Sequence, residues 1–249
     1  VSRIVFFADV LGFGAMSRTD VVSAERALDD VALLFSDRDE ITRLLQAGNP
    51  WTARYGLSDS IFLIANDTVS AATEAARFFF HLASMNATVP DQRVMMRGAL
   101  ARGEVRERGP IFPESAKGNV VGEAVVKAAM LEKSGAKGPR LLLDEDVARE
   151  LAGAPVEWLL DRERGPAELL WLLPPDPADI DVSHLRPVFA AAADAFLRAD
   201  QDHAEHYVAY IDLLFRSLSR LQSREPDLAA ALARSFDEER VKRRLSALL

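Results

Sequence analysis

The chain has 249 residues, 49% of them apolar, and a formal net charge of −8 at pH 7. That composition describes a folded globular chain, and the acidity excludes a general nucleic-acid binder, which needs a basic stripe along the phosphates. There is no cysteine, so disulfides, thiolate metal sites and thiol catalysis are excluded. No apolar run reaches the roughly 20 residues of a membrane-spanning helix, and the opening Val1-Ser2-Arg3 does not read as a signal peptide. The expectation is a soluble cytoplasmic protein with no membrane partner.

Residues 4–8 are a continuous apolar run, the pattern of a buried central strand. After a turn at Gly12-Phe13-Gly14, Ala24, Ala27, Leu28, Val31, Leu34 and Phe35 repeat at helical spacing. A second helical stretch over 41–46 ends at Gly48-Asn49-Pro50. Residues 51–57 and 60–65 read as two strands joined tightly through Ser58-Asp59. Residues 69–85 predict a helix anchored by Phe78, Phe79 and Phe80, and 93–105 a strand pair or one bent strand. A further amphipathic helix is predicted over 119–133, then a strand over 140–143 and a short helix over 145–151. Residues 156–160 and 168–173 suggest a closing hairpin. The order strand–helix–strand–strand–helix–strand predicts a ferredoxin-like α+β sandwich.

Pro174-Pro175-Asp176-Pro177 marks the clearest boundary, dividing an α+β domain over 1–175 from a helical C-terminal extension over 176–249. In the extension, Tyr207, Ile211, Leu214, Leu218 and Leu221 form a narrow seam suited to a dimer contact or to packing back on the sheet. Ser235 and Glu238 have capping-box spacing before the last helix.

Two carboxylates stand out. Asp9 terminates the first strand, and Asp59 sits in the turn that opens the third. In a ferredoxin-like sheet those strands are antiparallel neighbours, so the two meet although far apart in sequence. Two like charges about 4 Å apart repel by roughly 4 kcal/mol at an effective dielectric near 20, a cost that a divalent cation reverses. The Gly12, Phe13 and Gly14 loop adds backbone N–H groups that suit a phosphate chain.

Several segments resemble the class III nucleotide cyclases. Phe7-Ala8-Asp9-Val10-Leu11-Gly12-Phe13 looks like that family's first metal segment, and the Ser58-Asp59 hairpin like its second. The run from Arg97 to Val105 resembles its arginine-led strand, and Gly122-Glu123-Ala124-Val125-Val126-Lys127-Ala128-Ala129-Met130-Leu131-Glu132 its following helix. The resemblance spans about residues 3–173. It departs at Tyr55, where purine cyclases carry a base-reading lysine or glutamate. It departs again at Val126 and Met130, where they carry an asparagine and an arginine. Tyr55 with the Leu57-Ser58-Asp59-Ser60-Ile61 hairpin is similar to the bacterial pyrimidine cyclases of the Pycsar anti-phage system.

The resemblance implies two Mg²⁺ or Mn²⁺ ions per site, held by Asp9, Asp59 and the Val10 carbonyl, and conversion of UTP to 3′,5′-cyclic UMP and pyrophosphate. Tyr55 and Asn119 would read the base, although Asn119 also suits a helix N-cap, and neither separates uracil from cytosine, so CTP stays open. Arg97 and Arg164 match phosphate-contacting positions, with Arg54 and Arg102 as lesser candidates. The implied assembly is a homodimer with sites at its interface, signalling through its product to a cyclic-nucleotide-responsive effector. The alternatives are a purine cyclase and a catalytically silent nucleotide sensor.

Overall fold

A computed structural model of the chain describes residues 1–44, 50–88, 94–109, 118–135, 137–163, 165–199 and 204–248. In chain order its strands are β1 (Ser2–Val10), β2 (Trp51–Leu57), β3 (Ser60–Ala65), β4 (Met96–Glu104), β5 (Arg106–Arg108), β6 (Asn119–Val121), β7 (Leu141–Leu143), β8 (Leu160–Asp161) and β9 (Glu168–Leu169). Its helices are α1 (Phe13–Thr19), α2 (Val21–Leu44), α3 (Thr68–Thr88), α4 (Glu123–Glu132), α5 (Glu145–Glu150), α6 (Val182–Arg198), α7 (Ala204–Gln222), α8 (Pro226–Ala233) and α9 (Glu238–Leu248). The main sheet runs β2-β3-β1-β4-β7-β9-β8, and β5 pairs with β6 in a separate ribbon.

The segment from β1 to β4 is the predicted ferredoxin-like unit. β1 lies antiparallel to both β3 and β4, and β2 to β3. β7 joins β4 in parallel, and the short β8–β9 hairpin closes that side. Residues alternate across the sheet. Ile4, Phe6, Ala8 and Val10 belong to the large core beneath α3, where the Phe6 ring meets Trp51, Phe78 and Phe79. Val5 and Phe7 belong to a smaller core on the other face, with Ala101, Ala124 and Ala128, so α4 seats its alanines close against the strands.

Five local readings change. The first arm of the closing hairpin, expected over 156–160, is a 3₁₀ turn over Pro155–Leu159, and pairing is confined to 160–161 and 168–169. Phe13–Thr19 is a short helix where only a turn was expected, and α2 runs unbroken through Leu44, with Gly48 and Asn49 outside the described residues. Residues 119–121 form a strand, because the β-branched Val120 and Val121 find a partner in β5. Gly122 then takes φ +146°, where an added Cβ would lie 2.1 Å from the Glu104 carbonyl oxygen, and α4 starts only after it. Asn119 is therefore a strand residue and not an N-cap. In α9 the Arg240 N–H donates to Asp237 at 2.9 Å, whereas the Ser235 hydroxyl turns back to the Leu232 carbonyl. Asp237 thus does the capping expected of Ser235.

The seam of the extension points inward. Ile211, Leu214 and Leu221 are fully buried and share one core with Phe79, Trp171 and Phe189. Polar groups pin the same contact: Arg220 donates to the Trp158 and Leu160 carbonyls at 3.1 and 3.0 Å. Of the two roles open to this seam, packing back on the chain's own sheet is the one the structure displays.

Candidate active site

β1 ends where β3 begins, and their register fixes the carboxylate corner. Asp9 stands opposite Ser60 on β3 and opposite Arg97 on β4. Asp59 occupies the two-residue turn between β2 and β3, and its carbonyl accepts the Val10 N–H at 3.1 Å. Ser58, the other turn residue, takes φ 55°, unusual for a residue with a Cβ and typical of tight hairpins. The turn therefore sets Asp59 beside the end of β1.

Asp9 is half-buried, and its Oδ1 accepts the Ser60 hydroxyl at 2.6 Å. Burial pushes its pKa above the ordinary carboxylate range. The Ser60 hydroxyl holds it back, the negative charge of Asp59 raises it further, and Arg97 and Lys133 oppose with weaker pulls. Burial and the neighbouring charge of Asp59 thus both work against ionisation at this corner. Among the described residues no group of three or more His, Asp or Glu side chains is placed to share a metal ion, so two carboxylates are what this corner offers.

Arg97 does not stand alone. Its Nε donates to Glu132 Oε1 at 2.5 Å, and a guanidinium nitrogen pairs with the same oxygen. Glu132 is wholly buried at the end of α4, and its Oε2 has no hydrogen-bond partner among the described residues. This positioning residue went unnoticed in the sequence. The signal was present: Ala124, Ala128 and Glu132 follow one another at four-residue steps along the buried face of α4. An acid on an apolar stripe requires a cation beneath it.

Next to the corner, Gly12 adopts φ 76° and caps α1, whose first turn opens with Phe13 and Gly14. The Gly12 carbonyl accepts from Ala15 and Met16, which leaves the Phe13 and Gly14 N–H groups at the start of the helix.

Tyr55 lies on the same sheet face as Asp9, opposite Phe62, which packs on Phe7 with ring centroids 4.6 Å apart. From strand spacing, the Tyr55 and Asp9 backbones are roughly 12 Å apart. The Tyr55 hydroxyl donates to Glu107 at 3.0 Å, and its pKa is raised by burial first and by Glu107 second. An added Cβ on Gly118 would lie 3.7 Å from the Tyr55 ring, so the strand carrying Asn119 begins beside it. The Asn119 amide reaches the Gly109 carbonyl at 3.5 Å. One chain thus brings Asp9 and Asp59 together, and Tyr55 with the Asn119 segment, as two separate clusters.

Two lesser candidates lie elsewhere. Arg102 sits opposite Ile4, on the other sheet face from Arg97, and pairs with Glu150 of α5. Arg54 alternates with Tyr55 along β2 and faces away from it. Arg164 lies outside the described residues. Val126 and Met130, at the departing positions, are 57% and 68% exposed on the outer side of α4. Among the described residues no helix is long and apolar enough to cross a membrane.

No protein-family profile and no curated protein matches the sequence. Similar solved structures include the adenylyl cyclase CyaB from P. aeruginosa, 14% identical over 67% of this chain and 91% of that one, with a TM-score of 0.47. The guanylyl cyclase Cya2 is 16% identical over 68% of this chain and 90% of that one, at a TM-score of 0.48. A class III adenylyl cyclase-like ATP-binding protein from Pseudomonas aeruginosa is 14% identical over 66% of this chain and 37% of that one, at a TM-score of 0.45. The fold assignment for this chain rests on its own strand order, which is that of a ferredoxin-like α+β sandwich with added helices.

Proposed function

We propose that the chain is a cytoplasmic nucleotide cyclase that converts UTP to 3′,5′-cyclic UMP and pyrophosphate. The observation that carries this reading is the corner itself, where a half-buried Asp9 of raised pKa meets Asp59 with Arg97 directly across the strand. Two neighbouring carboxylates, the charge of one disfavouring ionisation of the other, fit Mg²⁺ or Mn²⁺, and Asp9, Asp59 and the Val10 carbonyl would hold them. When bound, two such ions supply positive charge that lowers the pKa of a ribose 3′-hydroxyl and neutralises a departing pyrophosphate.

The remaining work falls to the chain. Arg97, held by Glu132, keeps a guanidinium beside the phosphate that would take on negative charge. The Phe13 and Gly14 N–H groups lie where a triphosphate tail would pass, and Arg164 belongs to the same role by resemblance. Nucleophile and electrophile belong to one substrate molecule, so holding the folded nucleotide still supplies much of the acceleration, and no side-chain base is required. Tyr55 and Asn119 read the base. Their separation from Asp9 within one chain favours a homodimer in which one subunit offers the carboxylates and its partner the base-reading pair. By resemblance the product signals to an effector in anti-phage defence.

A second reading, a silent nucleotide sensor, is favoured by one observation. Exposed Val126 and Met130 replace the asparagine and arginine that the family resemblance would require. Incubating the protein with each of the four nucleoside triphosphates and Mn²⁺, then chromatographing the products, separates the readings. Cyclic UMP or cyclic CMP supports the pyrimidine reading, and cyclic AMP or cyclic GMP a purine cyclase. Nucleotide binding without product leaves the sensor. Tyr55→Lys should shift the preference away from pyrimidines by at least tenfold in kcat/KM, and an unchanged preference removes Tyr55 from base reading.

A further inference from the structure

The far edge of the sheet carries a second polar site. β8 lies four strands from β1, roughly 19 Å across the sheet. There the turn after α5, the 3₁₀ turn Pro155–Leu159 and the last turn of α7 enclose an open hollow of about 810 Å³. That size lies within the range of small-molecule sites. Among the described residues three arginines line it, Arg162, Arg220 and Arg224, against one acid, Glu157. In a chain of net charge −8 this concentration of cations is locally inverted.

The three arginines are fixed by neutral groups. Arg220 donates to the Trp158 and Leu160 carbonyls, Arg162 donates to the Ala148 carbonyl at 2.6 Å, and Arg224 stacks 5.6 Å from the Trp158 ring centroid. Among the described residues no carboxylate forms an ion pair with any of them. Glu157 is itself engaged, accepting the Gly153 N–H at 2.8 Å. Each guanidinium has five N–H donors in a rigid fork that matches phosphate oxygens two at a time. Carbonyl contacts preset their orientation, and Arg220 alone shares its charge, acting on the buried Asp161 from beyond ion-pair distance. Nearby Arg216 shows the contrary arrangement, with three carboxylates around one guanidinium.

We propose that this hollow binds a small phosphorylated ligand through Arg162, Arg220 and Arg224, at the joint between the sheet and the C-terminal helices. The site is independent of the carboxylate corner and of the reaction assigned to it. The shared chemistry is a multiply charged phosphoryl group, whether on inorganic pyrophosphate or on a nucleotide.

The test is isothermal titration of the full chain with pyrophosphate, UTP and sulfate, in EDTA so that no divalent metal takes part. Pyrophosphate should bind with a Kd below about 1 mM, and Arg162→Gln with Arg224→Ala should weaken it at least tenfold. Asp59→Asn should leave it unchanged, which separates this site from the corner. Equal affinity for UTP assigns recognition to the phosphates alone. UTP tighter by tenfold, with the gain lost in the double variant, adds the nucleoside as a recognised part, and both results support the site; a gain that the double variant keeps belongs to the corner and overturns nucleoside recognition here. Absence of binding, binding unaltered in the double variant, or sulfate as tight as pyrophosphate overturns it. If the double variant does not fold, as judged by its urea transition, the exposed Arg224→Ala alone decides, again by a tenfold loss.

Discussion

Two pairs of carboxylates border the same sheet and meet opposite fates. At the far edge, Asp161 and Glu168 are almost fully buried, yet Arg216 of α7 bonds Asp161 at 2.8 Å and lies 2.8 Å from Glu168, while Arg140 takes the other side of Glu168. Burial works against ionisation of Asp161, but the Glu163 N–H and the Arg216 guanidinium outweigh it, and the pKa is lowered. Arg216 responds in kind, its pKa raised beyond that of free arginine by the surrounding carboxylates despite burial. At the other end, burial raises the Asp9 pKa and its partners do not offset it. What differs is the supply of cations: the extension sends an arginine into one pair, while the Arg97 cation beside the other is already engaged by Glu132. A saturated pair fastens the fold. The other pair is the one that the proposed function supplies with charge from outside.

Breaking each pair in turn sharpens the contrast. The largest effect is expected from Asp59→Asn, which should lower nucleotide turnover at least a thousandfold; undiminished turnover removes Asp59 from the chemistry. Arg216→Ala leaves the buried Asp161 without its cation and Glu168 with Arg140 alone, and should destabilise the chain by about 3–5 kcal/mol in urea titration, with the C-terminal helices loosened. Loss below about 1 kcal/mol would show that the network does not fasten the extension.

Acid probes the same pair reversibly. Because the folded pKa of Asp161 is lowered, its stabilisation is fully present above the unfolded value near 3.8 and is lost as pH falls through the lower folded value. The stability gap between the parent chain and Asp161→Asn should therefore hold at neutral pH and close below about pH 4. A gap that widens in acid contradicts the ion-pair account. The smallest effect belongs to the corner. Asp9→Asn removes a charge that burial and Asp59 disfavour, so it should raise the melting temperature of the metal-free protein slightly. It should also abolish any further rise on adding Mn²⁺. A metal-dependent rise that survives Asp9→Asn would place the ion elsewhere.

The sheet's frame was legible because apolar strands announce themselves by composition. The residue-by-residue limits of β2 and β3 follow from a two-residue turn between alternating runs. Asp9 and Asp59 were legible as a pair for a topological reason, since the strand order forces their ends together. The separate two-stranded ribbon was not legible. Residues 119–121 carry an apolar repeat that fits a helix as well as a strand, and only the partner β5 decides.

Sequence by itself determined the acidic, cysteine-free composition, the ferredoxin-like order of elements and the two carboxylates, all of which depend on local pattern or on chain order. Tertiary structure alone decided that the Ile211–Leu214–Leu221 seam turns inward, that Glu132 holds Arg97, and that Arg162 and Arg220 gather from residues far apart in the chain. The physical reason is common to all three. Periodicity shows that a face is apolar or that a charge is misplaced on it, but the energy of covering that face or pairing that charge comes from whichever element packs against it.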